Sequence, residues 1–334
     1  MLSVAASRLG FRSHIFEPSA SSPAADVAHA VTCASYNDEK ALCKFAKSVD
    51  VITYEFENVP TSTLDTLEKF RPIRPGREAL RVSQDRVIEK EFLNNLGLAT
   101  APYAPVETIY DLTNAIKIIG VPAVLKTCRF GYDGKGQALL KMEDDAEKAF
   151  KAMQGQFSVL EGFVEFSREV SVIGARNANG DLVCFDPGEN VHRNGILHTT
   201  TVPARLNTSE RTDAVLLAAK IMNKLEYIGV MGVEFFVTGN GLIVNEFAPR
   251  VHNSGHWTQN ACIVDQFEQH IRAIAGWPLS DGTRYNDIVM ENLIGADVKK
   301  ASKLAENKNV AIHLYGKTKI KKGRKMGHFN RILT

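Results

Sequence analysis

Met231-Gly-Val-Glu-Phe-Phe-Val-Thr-Gly-Asn-Gly-Leu-Ile-Val-Asn-Glu-Phe247 is the stretch on which the fold turns. Two apolar, β-rich arms flank Gly239-Asn240-Gly241, which supplies the positive-φ residues of a tight turn, so the segment reads as a β-hairpin. Folding the arms together brings Glu234 close to Glu246. Like charges facing each other on a ladder repel, and a hard, oxygen-seeking cation such as Mg²⁺ relieves the repulsion while bridging to phosphates. Read from the residues alone, the pair is either a metal site or two solvated glutamates.

The chain continues Pro249-Arg-Val-His-Asn-Ser-Gly-His-Trp-Thr-Gln-Asn260. Four more motifs stand in order along it: Phe130-Gly-Tyr-Asp-Gly-Lys-Gly-Gln137, Glu189-Asn-Val-His192, His313-Leu-Tyr-Gly-Lys317 and Gly323-Arg-Lys-Met-Gly-His328. Together with Asn245-Glu246 they resemble, from end to end, the 5-(carboxyamino)imidazole ribonucleotide synthase family of purine biosynthesis. The Glu and Asn-Glu pair is common to ATP-grasp enzymes at large, whereas the His-Asn-Ser-Gly-His-Trp-Thr-Gln-Asn continuation is specific to that family. The resemblance implies a mixed α/β and α+β architecture. An amino-terminal parallel-sheet (pre-ATP-grasp) domain is expected over 1–78, an ATP-grasp domain over 79–280 and a small β-rich carboxy-terminal domain over 281–334.

With 334 residues, 44% hydrophobic and 23% charged, the chain suits a soluble globular protein of two or three packed units. A net charge of +2 makes no case for nucleic acid or a membrane surface. Five scattered cysteines without CxxC spacing suggest neither a zinc site nor a disulfide framework, and fit free thiols in a reducing cytoplasm. No apolar run reaches membrane-spanning length.

Strands are expected at 13–17, 29–32 and 49–56 in the first region, then at 123–127, 137–141, 158–163, 169–175, 182–185, 288–293 and 310–315. One helix is expected over 79–96, with Arg86 and Lys90 four apart on one face, and another over 209–225. Met1-Leu-Ser-Val-Ala-Ala-Ser-Arg8 resembles the first helix of the family; the expectation is that an opening strand and a Gly-Gln-Leu-Gly-type loop, on the ribonucleotide side, are missing. The carboxy-terminal domain is likewise expected to be cut short.

The loop Gly131, Tyr132, Asp133, Gly134, Lys135, Gly136, Gln137 lies between two expected strands, and its glycines let backbone N–H groups close on phosphate oxygens. Lys126, in the apolar strand before it, adds charge. A plain turn is the alternative for the loop alone. Resemblance implies that Arg86, Lys126, the loop, Glu169, His192, Asn245 and Glu246 contact ATP, and that Glu161, Gly162, Phe163 and Val164 meet the adenine edge. It implies Mg²⁺, or Mn²⁺ in its place, on Glu234 and Glu246. The ribonucleotide is assigned to Tyr132, Asp133, Arg250, His252, Lys317, Arg324 and Lys325, with Glu55 or Glu57 as an acidic wall. The basic run 317–325 alone would more often be a solvated loop.

The reaction implied is that of an ATP-grasp C–N ligase. Carboxyphosphate forms from bicarbonate and ATP, and 5-aminoimidazole ribonucleotide is then carboxylated on its amine, with Arg250, His252, Asp133 and Lys126 as the candidate catalytic residues. A homodimer is implied too. Another ATP-grasp carboxylase or acyl-phosphate ligase is the enzymatic rival, and a nucleotide-binding protein impaired in turnover is the rival of a different class.

Overall fold

The computed structural model describes residues 1–19, 21–131 and 134–333. Among them the largest sheet has nine strands. Its order runs Gly241–Ala248, Gly229–Thr238, Arg168–Arg176, Gly188–Arg193, Ile196–Val202, Asp287–Ile294, Lys325–Leu333, Val310–Leu314, and Leu182–Cys184 pairs on the side of Arg168–Arg176. The carboxy-terminal strands thus prolong the central sheet through the antiparallel pairing of Asp287–Ile294 with Ile196–Val202. A second, four-stranded sheet is ordered Tyr103–Val106, Ser158–Gly162, Ala123–Thr127, Gln137–Leu140 and forms a small lobe with the helix Ile109–Ile119.

The period-two pattern of the central strands sorts two cores onto opposite faces. Val170, Val172, Met231, Val233 and Phe235 pack against Ala214, Ala218, Ile221 and Met222 of the helix Thr208–Lys224. Ile173, Ala175 and Val230 pack with Phe267, Ile271 and Ile274 of the helix Gln266–Ala275. That second helix is capped by Asp265, which accepts from the amides of Phe267 and Glu268, and it ends at Gly276 in the left-handed region. Polar residues in phase with Ile173 and Val230 belong to the second face, which is where Ser171 and Glu234 stand.

Two expectations change. The helix expected over 79–96 is two helices, Arg77–Ser83 and Arg86–Asn95. Asp85 accepts from the amides of Val87 and Ile88, starting the second, while Gln84 donates to the carbonyls of Glu57 and Val59. A short polar residue that caps competes with helix continuation. Segment 49–56 is not a strand: the parallel pair His14–Phe16 with Ala30–Thr32 stands alone, and Ile52 makes only an isolated bridge to Ile73. Ile52 and Tyr54 are buried, so the apolar run is real, but burial without a continuous ladder leaves extended coil.

Candidate functional site

Glu234 and Glu246 are directly opposite in the hairpin register, so both side chains leave the sheet on one face. The register shifts immediately after Glu234, which makes Asn245 the extra residue of a bulge. Its Nδ2 is turned to within 3.4 Å of Glu234 Oε2. Arg86 Nη1 donates to Glu246 Oε2 at 2.8 Å.

The two carboxyls titrate apart. Burial, and then the charge of Glu246, push Glu234 up to about 7. Burial acts on Glu246 too, but the Arg86 guanidinium and Lys126 outweigh it and hold Glu246 at about 2. Below neutrality Glu234 therefore carries a proton while Glu246 stays ionised. With both ionised, the two carboxylates are oxygen donors that suit a hard divalent ion. Among the described residues no cluster of three or more His, Cys, Asp or Glu could hold a metal, so such an ion has to complete its shell with other oxygens.

A buried charge relay lies beside the pair. Glu161 is 4% exposed and Lys90 2%. Lys126 Nζ donates to Glu161 Oε2 at 2.9 Å, and Lys90 Nζ lies 3.3 Å from Oε1. Burial would lift the Glu161 carboxyl, but Lys126 and Lys90 together hold it below the usual range. Helical spacing had placed Lys90 on the face of Arg86; only packing shows that it reaches Glu161. Glu89, which the sequence reading missed, accepts the amide of Phe247 at 2.8 Å and so pins the backbone next to Glu246. Burial, then the Glu246 charge, push Glu89 up to about 8.

Glu169 and His192 are also brought together, with Nδ1 2.8 Å from Oε2. Burial opposes the imidazolium, but the Glu169 carboxylate outweighs it and lifts the His192 pKa. In the glycine-rich loop, Tyr132 and Asp133 lie outside the described residues. A Cβ at Gly136, where φ is +68°, would come 2.5 Å from Thr127 Oγ1, so the loop closes on the end of the Lys126 strand only because that residue is glycine. Gly134 rests against the Asn194-Gly195 turn, and Gly134, Lys135, Gly136 and Gln137 are all exposed. In the small lobe the amides of Gly162 and Phe163 are bonded to the carbonyls of Pro102 and Pro122.

Opposite the loop, Arg250 Nε donates to Glu57 Oε2 at 2.9 Å and its Nη1 to the Val251 carbonyl. Glu57 is therefore tied to Arg250, while Glu55 is the exposed one of the two. His252 Nε2 is 3.5 Å from Glu234 Oε1; burial, then Arg250 and Lys325, hold its pKa down at about 3. Lys317 Nζ donates to the Lys325 carbonyl and lies over the Tyr315 ring. Glu55, Glu57, Arg250, His252 and Lys317 border one cavity of about 2310 Å³ that also takes in Arg86, His192, Glu234 and Glu246, whereas Lys126, Glu161 and Glu169 are not among the described residues lining it. Arg324 is not among the described residues lining it; its guanidinium donates to the Lys319 carbonyl.

Comparison with known proteins identifies the family. Residues 1–84 match the ribonucleotide synthetase preATP-grasp domain, 91–267 the ATP-grasp domain, and 288–334 the phosphoribosylaminoimidazole carboxylase C-terminal domain. The N5-carboxyaminoimidazole ribonucleotide synthase of Brucella melitensis biotype 1 is 50% identical over 335 residues, covering 99% of this chain and 92% of that one. The Staphylococcus aureus N5-carboxyaminoimidazole synthetase solved with ADP superimposes with a TM-score of 0.95 at 38% identity, over 100% of this chain and 90% of that one. The Aspergillus clavatus synthase, solved with ADP and 5-aminoimidazole ribonucleotide, gives 0.94 at 28% identity with the same coverage. On its sequence, its three domains and its fold, the chain belongs to the ATP-grasp family of N5-carboxyaminoimidazole ribonucleotide synthases.

Proposed function

We propose that the chain carboxylates the amine of 5-aminoimidazole ribonucleotide, using ATP and bicarbonate, and that the residues gathered round the hairpin perform the steps. The observation that carries this is a carboxylate pair set between Arg86 and His252, in one cavity with Arg250 and Lys317. ATP lies with its adenine in the small lobe. The Val164 amide, which has no partner among the described residues, faces the base edge, and Glu169 takes the ribose hydroxyls. Lys126 and the loop 131–137 hold the phosphates. Glu234 and Glu246, with Asn245 beside them, would hold Mg²⁺ or Mn²⁺, which would supply neutralisation of phosphate charge.

Bicarbonate oxygen attacks the γ-phosphorus and the bond to ADP breaks, giving carboxyphosphate and ADP. The amine nitrogen then bonds the carboxyl carbon, the carbon–oxygen bond to phosphate breaks, and the released phosphate takes the amine proton. Arg250 and His252 face the developing charge, and such preorganised donors supply most of the acceleration in transfers of this kind. Lys317 and Lys325 meet the ribonucleotide 5′-phosphate, with Arg324 as an outer cation. Incubation with ¹³C-bicarbonate tests the reading, because the label has to appear in a carbamate carbon only when ATP and the ribonucleotide are both present. A homodimer goes with the family reading and is checked by sedimentation equilibrium.

Two further outcomes are expected. Binding of Mg²⁺ and ATP needs both carboxylates ionised, yet Glu234 holds a proton up to about pH 7. Affinity should therefore rise with pH through the window from 6 to 8 and level off above it, with about half a proton released on binding near pH 7 and close to one near pH 6. Titration calorimetry in buffers of different ionisation enthalpy reads the proton; none released would mean that Glu234 is not a ligand. Gly136→Ala should raise the KM for MgATP about tenfold or more while the protein still folds, since a methyl there collides with Thr127 and φ is strained. An unchanged KM would remove the loop from nucleotide binding.

A further inference from the structure

His252 is held from three sides. Its backbone N–H donates to Gln266 Oε1 at 2.9 Å, and Gln266 Nε2 returns a bond to its carbonyl at 2.7 Å. Its ring lies flat against Gly232, where a Cβ would come 2.6 Å from His252 Cβ and 2.7 Å from Cγ. On the Nδ1 side stands Ser254, whose Oγ is 2.8 Å away and whose backbone N–H points at the same nitrogen from 3.4 Å. Behind Ser254 is Ser171, with Oγ to Oγ 2.7 Å. Both serines are buried, at 0% and 2% exposure. Ser171 occupies the strand position directly opposite Glu234, so Ser171, Glu234 and Glu246 form one row across three strands.

Counting protons fixes the state of the ring. A backbone amide only donates, so Nδ1 has to accept. The Ser254 hydroxyl has one proton, and that proton is directed to Nδ1 if the Ser171 hydroxyl supplies Ser254 with its own. The reverse order would set an Nδ1–H against the Ser254 amide and leave the Ser171 proton without an acceptor among the described residues. The chain Ser171 to Ser254 to His252 therefore runs one way, and the ring proton sits on Nε2, the nitrogen 3.5 Å from Glu234 Oε1.

We infer that Ser254, backed by Ser171, is a positioning residue that holds His252 as the neutral Nε2–H tautomer, making His252 a hydrogen-bond donor to the reacting oxygens beside Glu234. In this state His252 has no free lone pair facing the cavity, so it cannot take the proton of the amine. That consequence rests on the function proposed above; the tautomer does not. The relay belongs to the same class as the outer partners that orient imidazoles elsewhere, whose loss costs about 10–100-fold in activity.

The tautomer is read directly in the intact protein by two-bond ¹H–¹⁵N correlation with ¹⁵N-histidine, His252 being assigned by comparison with His252→Asn. The expected pattern is Nε2 protonated and Nδ1 bare; a protonated Nδ1 overturns the inference whether or not any variant folds. In kinetics, Ser254→Ala should lower kcat about tenfold and Ser171→Ala about threefold, with the KM for MgATP changed less than about twofold in each. A Ser254→Ala enzyme with the kcat of the unaltered protein overturns the positioning role. Should the unaltered protein release no ADP in response to the ribonucleotide, the proposed function fails, and the spectrum still decides the tautomer.

Discussion

Glu246→Gln is expected to lower kcat at least about a thousandfold at saturating Mg²⁺ while the protein stays folded. The amide is nearly isosteric, so the bulged hairpin has no steric reason to rearrange. What goes is one of two ligand charges, together with the 2.8 Å partner of Arg86. Removing that charge also removes the second-largest cause of the raised Glu234 pKa, so Glu234 should titrate closer to an ordinary carboxylate in the variant. Steady-state ADP release and a thermal melt together give the answer. Near-normal turnover in a folded Glu246→Gln protein would take the hairpin out of catalysis.

Arg250→Ala should cost about 10²–10³-fold in kcat, with a smaller change in the KM for MgATP, if its guanidinium serves the transferred groups, as proposed, and not the nucleotide. Its Nε donates to Glu57 and its Nη1 to the Val251 carbonyl, so two fork positions are already committed, and the residue lines the cavity. Lysine lacks that fork, and Arg250→Lys is not expected to restore the rate. The alanine variant also leaves Glu57 without its cation, so some loss of thermal stability should accompany the kinetic one. A raised KM for MgATP with kcat intact would instead make Arg250 a nucleotide contact.

Local chemistry made much of this site legible. The Gly239-Asn240-Gly241 turn predicts the hairpin and brings Glu234 close to Glu246, but Thr238 pairs with Gly241, and only the bulge at Asn245 sets the two glutamates directly opposite. The flanking strands of the glycine-rich loop were legible as short apolar runs, Ala123–Thr127 and Gln137–Leu140, on either side of it. Asn245 belongs to the signature, but its bulge depends on a register shift that no periodicity encodes. Lys90, Glu89, Ser171 and Ser254 escaped because each acts through a residue distant in sequence. Lys90 meets Glu161 71 residues on, and Ser171 meets Ser254 83 residues on. The break at Gln84-Asp85 was hidden by an apolar pattern that runs across it, and is explained by bonds from Gln84 back to 57 and 59. The basic run reads as one site in the sequence, whereas in the fold Lys317 and Lys325 line the cavity and Arg324 donates to the Lys319 carbonyl of its own loop.

The most direct test of the whole account is ADP release measured with Mg²⁺ and ATP while bicarbonate and 5-aminoimidazole ribonucleotide are each added and withheld. The account predicts rapid release that needs both, accompanied by stoichiometric phosphate and carbamate. ADP release that ignores the ribonucleotide, or none when all components are present, would contradict it.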